Sequence, residues 1–211
     1  MLSPLRLGLR LVIASVLVLG CAHFAQRSLL QSLAPLIKSV VEVVQGEFHV
    51  VSLDAATKGH NQTLQLTAVL TQPIQIKGQW IYPEAWLGAP LAAQQVSGMQ
   101  VDLTAGGTLS YSLLVLIVAL AWPVSKGLWL LRRMAWALVF SGLLLVVNAA
   151  TTFPAELWAL FHDALAPQDT WLLLVWSRML MGGVGLMLAL GFGVLAVIFG
   201  GGAFRASRLP E

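Results

Sequence analysis

"MLMGGVGLMLALGFGVLAVIF", Met179–Phe199, carries no charged residue and decides the class of this chain. A helix needs about 20 apolar residues to cross the hydrocarbon core of a bilayer. This run supplies them, with an apolar extension back to Trp171. Along it, Gly182, Gly185, Ala189, Gly193, Ala196 and Gly200 follow Arg178 at intervals of 4, 3, 4, 4, 3 and 4 residues. Those intervals keep all seven on one helix face. A stripe of small residues lets a second helix approach closely, which is how membrane helices associate without a hydrophobic drive. The stripe therefore predicts a helix–helix contact, inside the chain or with a partner. Arg178 stands at its far end, about 30 Å from Phe199 at ~1.5 Å per residue, at the edge of the hydrocarbon. It either pairs with an acidic group, with Asp102, Glu156, Asp163 and Asp169 as candidates in the chain, or snorkels to headgroup phosphates.

Composition extends this reading to the whole chain. Of 211 residues 58% are hydrophobic and 10% charged, with mean hydropathy +0.82. Soluble domains carry roughly 25% charged residues, so this is an integral membrane protein whose first partner is the lipid bilayer. A net charge of +3 on so apolar a chain does not mark a nucleic-acid binder. A single cysteine excludes an internal disulfide framework and any multi-cysteine metal site.

Three further spans are expected, over about Leu7–Gln26, Ala105–Val124 and Met134–Thr152. Seven of the twelve basic residues (Arg6, Arg10, Lys126, Arg132, Arg133, Arg205, Arg208) then fall on one side, and eight of the nine acidic residues on the other. Lys and Arg near span ends favour the cytoplasm, which places both termini inside and residues 27–104 outside. Trp122, Trp129 and Trp136 flank the inner loop, and Trp158, Trp171 and Trp176 the outer one, as interfacial aromatic belts do. The expected fold is membrane α-helical, with four transmembrane helices and a small α+β extracytoplasmic domain between the first two. Residues 1–26 form the first span, 27–104 the outer domain and 105–211 the remaining three spans, with an interfacial helix at 153–168.

The first span holds an ambiguity. Val18-Leu19-Gly20-Cys21 fits a bacterial lipobox, in which the cysteine thiol carries a lipid. The apolar run continues through Ala22, Phe24 and Ala25, which gives a full span in place of a short signal core. The uncleaved helix is the preferred reading, and both readings leave the downstream topology unchanged.

In the outer domain, Leu29, Leu33, Leu36, Val40 and Val43 recur at helical spacing, and the helix is expected to bend near Pro35. After Gly46 the period becomes two. "TLQLTAVL" (63–70), "PIQIKGQWIY" (73–82) and "MQVDL" (99–103) alternate as half-buried antiparallel strands do, giving about four strands, with a turn at Lys58–Gln62. In "FPAELWALFHDALAPQ", Leu157, Trp158, Phe161, Ala164 and Leu165 share a face, and Pro154 suits a first helical turn.

The usual chemical motifs are missing: no glycine-rich phosphate loop, no HExxH, no G-x-S-x-G. The four histidines fall on different elements, and the adjacent His162-Asp163 pair does not converge on a helix. Glu84, in "YPEAW", reads as a turn residue. Neither catalytic residues, nor a metal site, nor a cofactor are assigned. Asn148 is a polar group inside the third span and is expected to hydrogen-bond a neighbouring helix, with Ser110 and Ser112 able to join it.

The layout resembles the exosortase H-associated membrane proteins. The likeness lies in "LGLRLVIASVLVLGCAHFAQ" leading into "LLQSLAPLIKSVVEVV", a short β-rich outer segment, "YSLLVLIVALAWP" and the close "WSRMLMGGVGLMLALG". It covers nearly the whole chain and rests on layout. It implies an accessory protein of a bacterial sorting system whose peptidase, the exosortase, is another integral membrane protein. The peptidase uses a Cys, an Arg and a His near the outer face, whereas Cys21 here falls near the middle of the first span. The expected function is thus a non-enzymatic accessory subunit that docks a partner through its outer domain and its small-residue stripe. A small transporter or channel component is the alternative, and a membrane enzyme using Arg178, His162 and Glu156 at the outer boundary is a third reading.

Overall fold

The computed structural model describes residues 4–58, 61–76, 78–83, 99–124, 127–165 and 172–201. Helix α1 (Pro4–Val44) leads into strands β1 (Phe48–Lys58), β2 (Asn61–Leu70), β3 (Ile74–Ile76), β4 (Gln79–Ile81) and β5 (Met99–Thr104). Then come α2 (Ala105–Ala121), α3 (Gly127–Leu165), α4 (Leu172–Met179), a π-helical segment at Leu180–Val184, and α5 (Gly185–Phe199). Three helical stretches are long and apolar enough to cross a membrane: Leu5–Val44, Gly127–Leu160 and Leu172–Phe199. The expected second span is shorter. Helix α2 has 17 residues, and its apolar run is Leu109–Ala121.

Both prolines lie inside continuous helices. Helix α1 runs unbroken through Pro35, and Ser39 Oγ donates to the Pro35 carbonyl at 2.9 Å. Helix α3 likewise runs through Pro154, so residues 153–165 belong to the same helix as the expected third span and not to a separate helix starting at Pro154. A proline inside a helix costs about 3 kcal/mol. Phe153 and Leu157, both fully buried, each return roughly 1.5–3 kcal/mol, and this outweighs the local signal.

The chain divides into two compact units. One comprises Met1–Gln26, Gly107–Leu145 and Leu180–Glu211. Its core is Val115, Ala119, Ala137, Leu144, Ala189 and Ala196, with Phe140 stacked on Phe192 at 5.3 Å. Helix α1 joins this unit lightly: Ala14, with Val18 beside it, meets Ile117 and Ala121. Only 6% of the apolar stretch of α1 is buried, against 33% for α3 and 28% for Leu172–Phe199.

The other unit comprises Arg27–Gly106 and Val146–Met179. Its three-stranded antiparallel sheet has the order β1-β2-β5. Phe48 and Val50 pair with Leu70 and Ala68 on the buried face; a bulge between Val50 and Ser52 then resets the phase. Leu53 and Ala55 thereby stay in register with buried Leu66 and Leu64. The buried residues of α1 here are Leu30, Ile37 and Val41, a face neighbouring the expected one, of which Leu29, Leu36 and Val43 are exposed and Leu33 and Val40 half-buried. The expected single strand at 73–82 is a hairpin, β3–β4, turning at Gly78 with φ 82, which glycine adopts without a side-chain penalty. The turn puts Trp80 on the exposed side, opposite the buried Ile74 and Ile76. Five strands are described where about four were expected; the expected Gly59 turn lies outside the described residues.

Candidate functional site

The small-residue face of the last helix is the feature that sequence singled out, and the structure occupies most of it within the chain. Gly185, Ala189, Gly193, Ala196 and Gly200 are buried. A Cβ at Gly185 would lie 2.8 Å from the Tyr111 ring, and one at Gly193 would lie 2.6 Å from Val118 Cβ. At Gly200 it would lie 2.7 Å from Arg133 Cβ. Carbon atoms normally approach to 3.5–4.0 Å, so these glycines are what let α2 and α3 come this close. Arg178 and Gly182 are exposed. Gly182 lies within the π-helical segment, where Gly183 sits at φ 132, outside helical space, and breaks the regular helical phase ahead of Gly185. At this break the Tyr111 hydroxyl donates to the Met181 carbonyl at 3.2 Å. Among the described residues Arg178 forms no ion pair, and the candidate partner Asp102 instead accepts a hydrogen bond from Gln65 Nε2 at 3.2 Å.

At the other end of α5, Arg133 is fully buried. The sequence reads it as one of the cytoplasmic charges; the structure uses it to cap α2. Nη1 donates to the Trp122 carbonyl at 2.6 Å and to Ala119 at 3.4 Å, and Nη2 to Pro123 at 3.4 Å. The short contact is charge-assisted and carries most of the energy. The cation also faces the negative end of the α2 dipole. Its Nε is buried with no hydrogen-bond partner.

Between these ends, α2 and α3 exchange a pair of serine hydrogen bonds. Ser112 Oγ donates to the Ser141 carbonyl at 3.1 Å, and Ser141 Oγ to the Ser112 carbonyl at 2.7 Å. Asn148 Oδ1 accepts from Thr152 Oγ one turn along its own helix, at 2.8 Å. Ser112 therefore serves Ser141, and Ser110 turns back to Gly107. The α2 face that meets α5 and α3 is thus glycine-matched and polar-stitched. Such an arrangement sets helix geometry.

In the mixed unit, Trp158 is a hub. Its Nε1 donates to Gln45 Oε1 at 2.8 Å, its ring meets Phe48 edge-on at 5.4 Å, and it packs on the Ile74–Ile76 cluster. His49 Nδ1 lies 3.4 Å from Glu42 Oε1. Cys21 is exposed on α1 and forms no disulfide. Glu84, Asp169 and Trp171 lie outside the described residues, as do the side chains of His162 and Asp163. Among the described residues, no three or more His, Cys, Asp or Glu side chains gather to hold a metal ion.

Tyr111, Arg133, Ser141 and the Gln45–Trp158 pair were not read from sequence. A polar residue inside an apolar run was the available signal for the serines and the tyrosine. For Arg133 the signal was masked, because a basic residue beside a span end already has a topological explanation. Comparison with family models, with curated proteins and with solved structures gives no match for this chain.

Proposed function

We propose that this chain is a non-enzymatic accessory subunit of a bacterial inner membrane, docking another integral membrane protein. The observation that carries the reading is how α1 differs from the other long helices. Its apolar stretch is 6% buried, and Leu9, Val12, Val16, Leu19 and Phe24 are exposed, Phe24 at 91%. The small-residue face of α5 is already engaged by Tyr111, Val118 and Arg133, which moves the docking surface from that stripe to α1. In the outer domain, considered by itself, Trp80 and Tyr82 are also exposed. The resemblance in layout makes an exosortase the candidate partner.

In this reading both termini are cytoplasmic, residues 27–104 are extracytoplasmic, and α2 counts as the second of four spans. Its 17 residues reach about 25 Å, near the hydrocarbon thickness of ~30 Å. Photo-crosslinking residues placed at Val16 and Phe24 in the native membrane test the docking. The expected product is a defined adduct with one polytopic membrane protein, absent when the crosslinker sits at buried Ala189. Lipid adducts alone at both α1 positions would sink the proposal.

A transporter or channel component is the second reading, and the interrupted helix at Gly183 favours it. Broken helices within the bilayer recur at transport sites. Solute or ion flux through purified chain in liposomes, abolished by Gly183→Ala, would put this reading first.

A further inference from the structure

We propose that the face of α3 carrying Trp129, Arg132, Arg133 and Trp136 binds the phosphate of an anionic phospholipid. In "WLLRRMAW", Trp129–Trp136, each arginine stands three or four residues from each tryptophan. One indole therefore lies a turn before the cation pair and the other a turn after it. Both indoles are held by the protein: Trp129 packs against Gly201, and Trp136 meets Phe140 at 5.8 Å and Phe199 at 5.3 Å. Arg132 follows Gly127, the first residue of α3, by about 8 Å of helix. A side chain so near the helix start reaches the headgroup layer.

The first argument is charge. The compact unit that holds this face is Met1–Gln26 with Gly107–Leu145 and Leu180–Glu211. Its basic residues are the seven named above, and its one acidic residue is Glu211. Among its described residues there is no Asp or Glu. The acceptors of the fully buried Arg133 are all neutral, the carbonyls of Ala119, Trp122 and Pro123. Burying a cation is costly unless an anion stands near it. A bound phosphate supplies one.

The second argument is unused donors. Arg133 Nε is buried without a hydrogen-bond partner, which is rare enough to mark a place where a further acceptor belongs. Its chain neighbour Arg132 is exposed and, among the described residues, makes no ion pair. Phosphate oxygens match the arginine fork and accept charge-assisted hydrogen bonds. One phosphate at Arg132 brings both the acceptor and the countercharge that Arg133 lacks.

The third argument selects a lipid. Leu128 lies one turn before Arg132 on the same side of the helix, Leu131 lies beside it, and both are exposed. A phospholipid lays its acyl chains over these leucines while its phosphate meets the arginine; a soluble phosphate leaves them uncovered. The excess of basic residues in the unit favours a headgroup of net negative charge. This inference does not rest on the docking proposal.

Native mass spectrometry of the full chain in detergent micelles tests it, with titration by dioleoylphosphatidylglycerol or dioleoylphosphatidylcholine. The expected result is one phosphatidylglycerol held at least about fivefold more tightly than phosphatidylcholine. Arg132→Gln, at an exposed position, should abolish that preference. Arg10→Gln removes the same charge from an exposed position on α1 and should leave the preference in place. Excess inorganic phosphate should not displace the lipid. Equal affinity for the two lipids would overturn the inference and leave the arginines to an acidic group of a partner protein. Equal effects of the two substitutions would also overturn it, reducing the site to diffuse surface charge. Displacement by inorganic phosphate would overturn the lipid assignment in favour of a free anion.

Discussion

Gly193→Ala puts the packing account at greatest risk, because one methyl group is all that changes. The new Cβ would stand 2.6 Å from Val118 Cβ and 2.7 Å from Val118 Cγ1. Ordinary carbon contacts are about 3.5–4.0 Å, so the two helices must part by roughly 1 Å. Rotating Val118 gives no relief, since its Cβ is fixed to the backbone and its χ1 is stiff in a helix. Overpacking of this kind costs about 1–3 kcal/mol, while glycine to alanine in a helix returns up to about 1 kcal/mol. The net expectation is a loss of about 1–2 kcal/mol. Gly191→Ala is the internal control: it lies on the same helix, with nothing within 4 Å of its Cβ position. It should be neutral or stabilising by up to about 1 kcal/mol. Reversible unfolding in mixed micelles, titrated with denaturing detergent, measures both. Equal stabilities for the two variants would refute the close approach of α5 to α2 at this level.

Other substitutions probe the remaining contacts. Arg133→Met keeps most of the apolar stem but removes the cap from α2, and loss of the 2.6 Å bond to Trp122 should cost about 1.5–3 kcal/mol in the same assay. Ser141→Ala removes one bond of the serine pair and should cost about 0.6–1.7 kcal/mol; a larger loss would mean that the hydroxyl does more than join α2 to α3. Trp158→Phe retains the ring against Phe48 but leaves Gln45, 8% exposed, without its donor. A penalty of about 1–3 kcal/mol follows, seen as earlier unfolding of tryptophan-independent circular dichroism in the β region.

Much of the helical layout was legible because long apolar runs carry their own signal. The stripe from Gly185 to Gly200 could be read as a packed face, since its spacing needs no knowledge of the partner helix. What failed were local rules overridden by packing. Pro35 and Pro154 read as a bend and a helix start, yet both helices continue; around Pro154 the buried Phe153, Ala155 and Leu157 hold the helix together. Trp80 was placed with Ile74 and Ile76 by alternation; a two-residue turn at Gly78 reverses that parity, and only the positive φ of one glycine distinguishes a strand from a hairpin there. Leu29 and Leu30 occupy adjacent faces of α1, and hydrophobicity alone does not say which is covered. Arg133 shows the same limit in electrostatic form. A basic residue at a span end satisfies the orientation rule whether it faces water or caps a neighbouring helix.

Native mass spectrometry of the protein released gently from its own membranes tests the central claim, that this chain acts by docking another membrane protein. The account predicts a defined complex with one polytopic membrane subunit, lost when α1 is altered at Val16 and Phe24. The mass of the chain in the same spectrum reads Cys21: full length for an uncleaved helix, truncated with added acyl mass for a lipoprotein. A bare monomer or a homo-oligomer under conditions that preserve other membrane complexes would contradict the account.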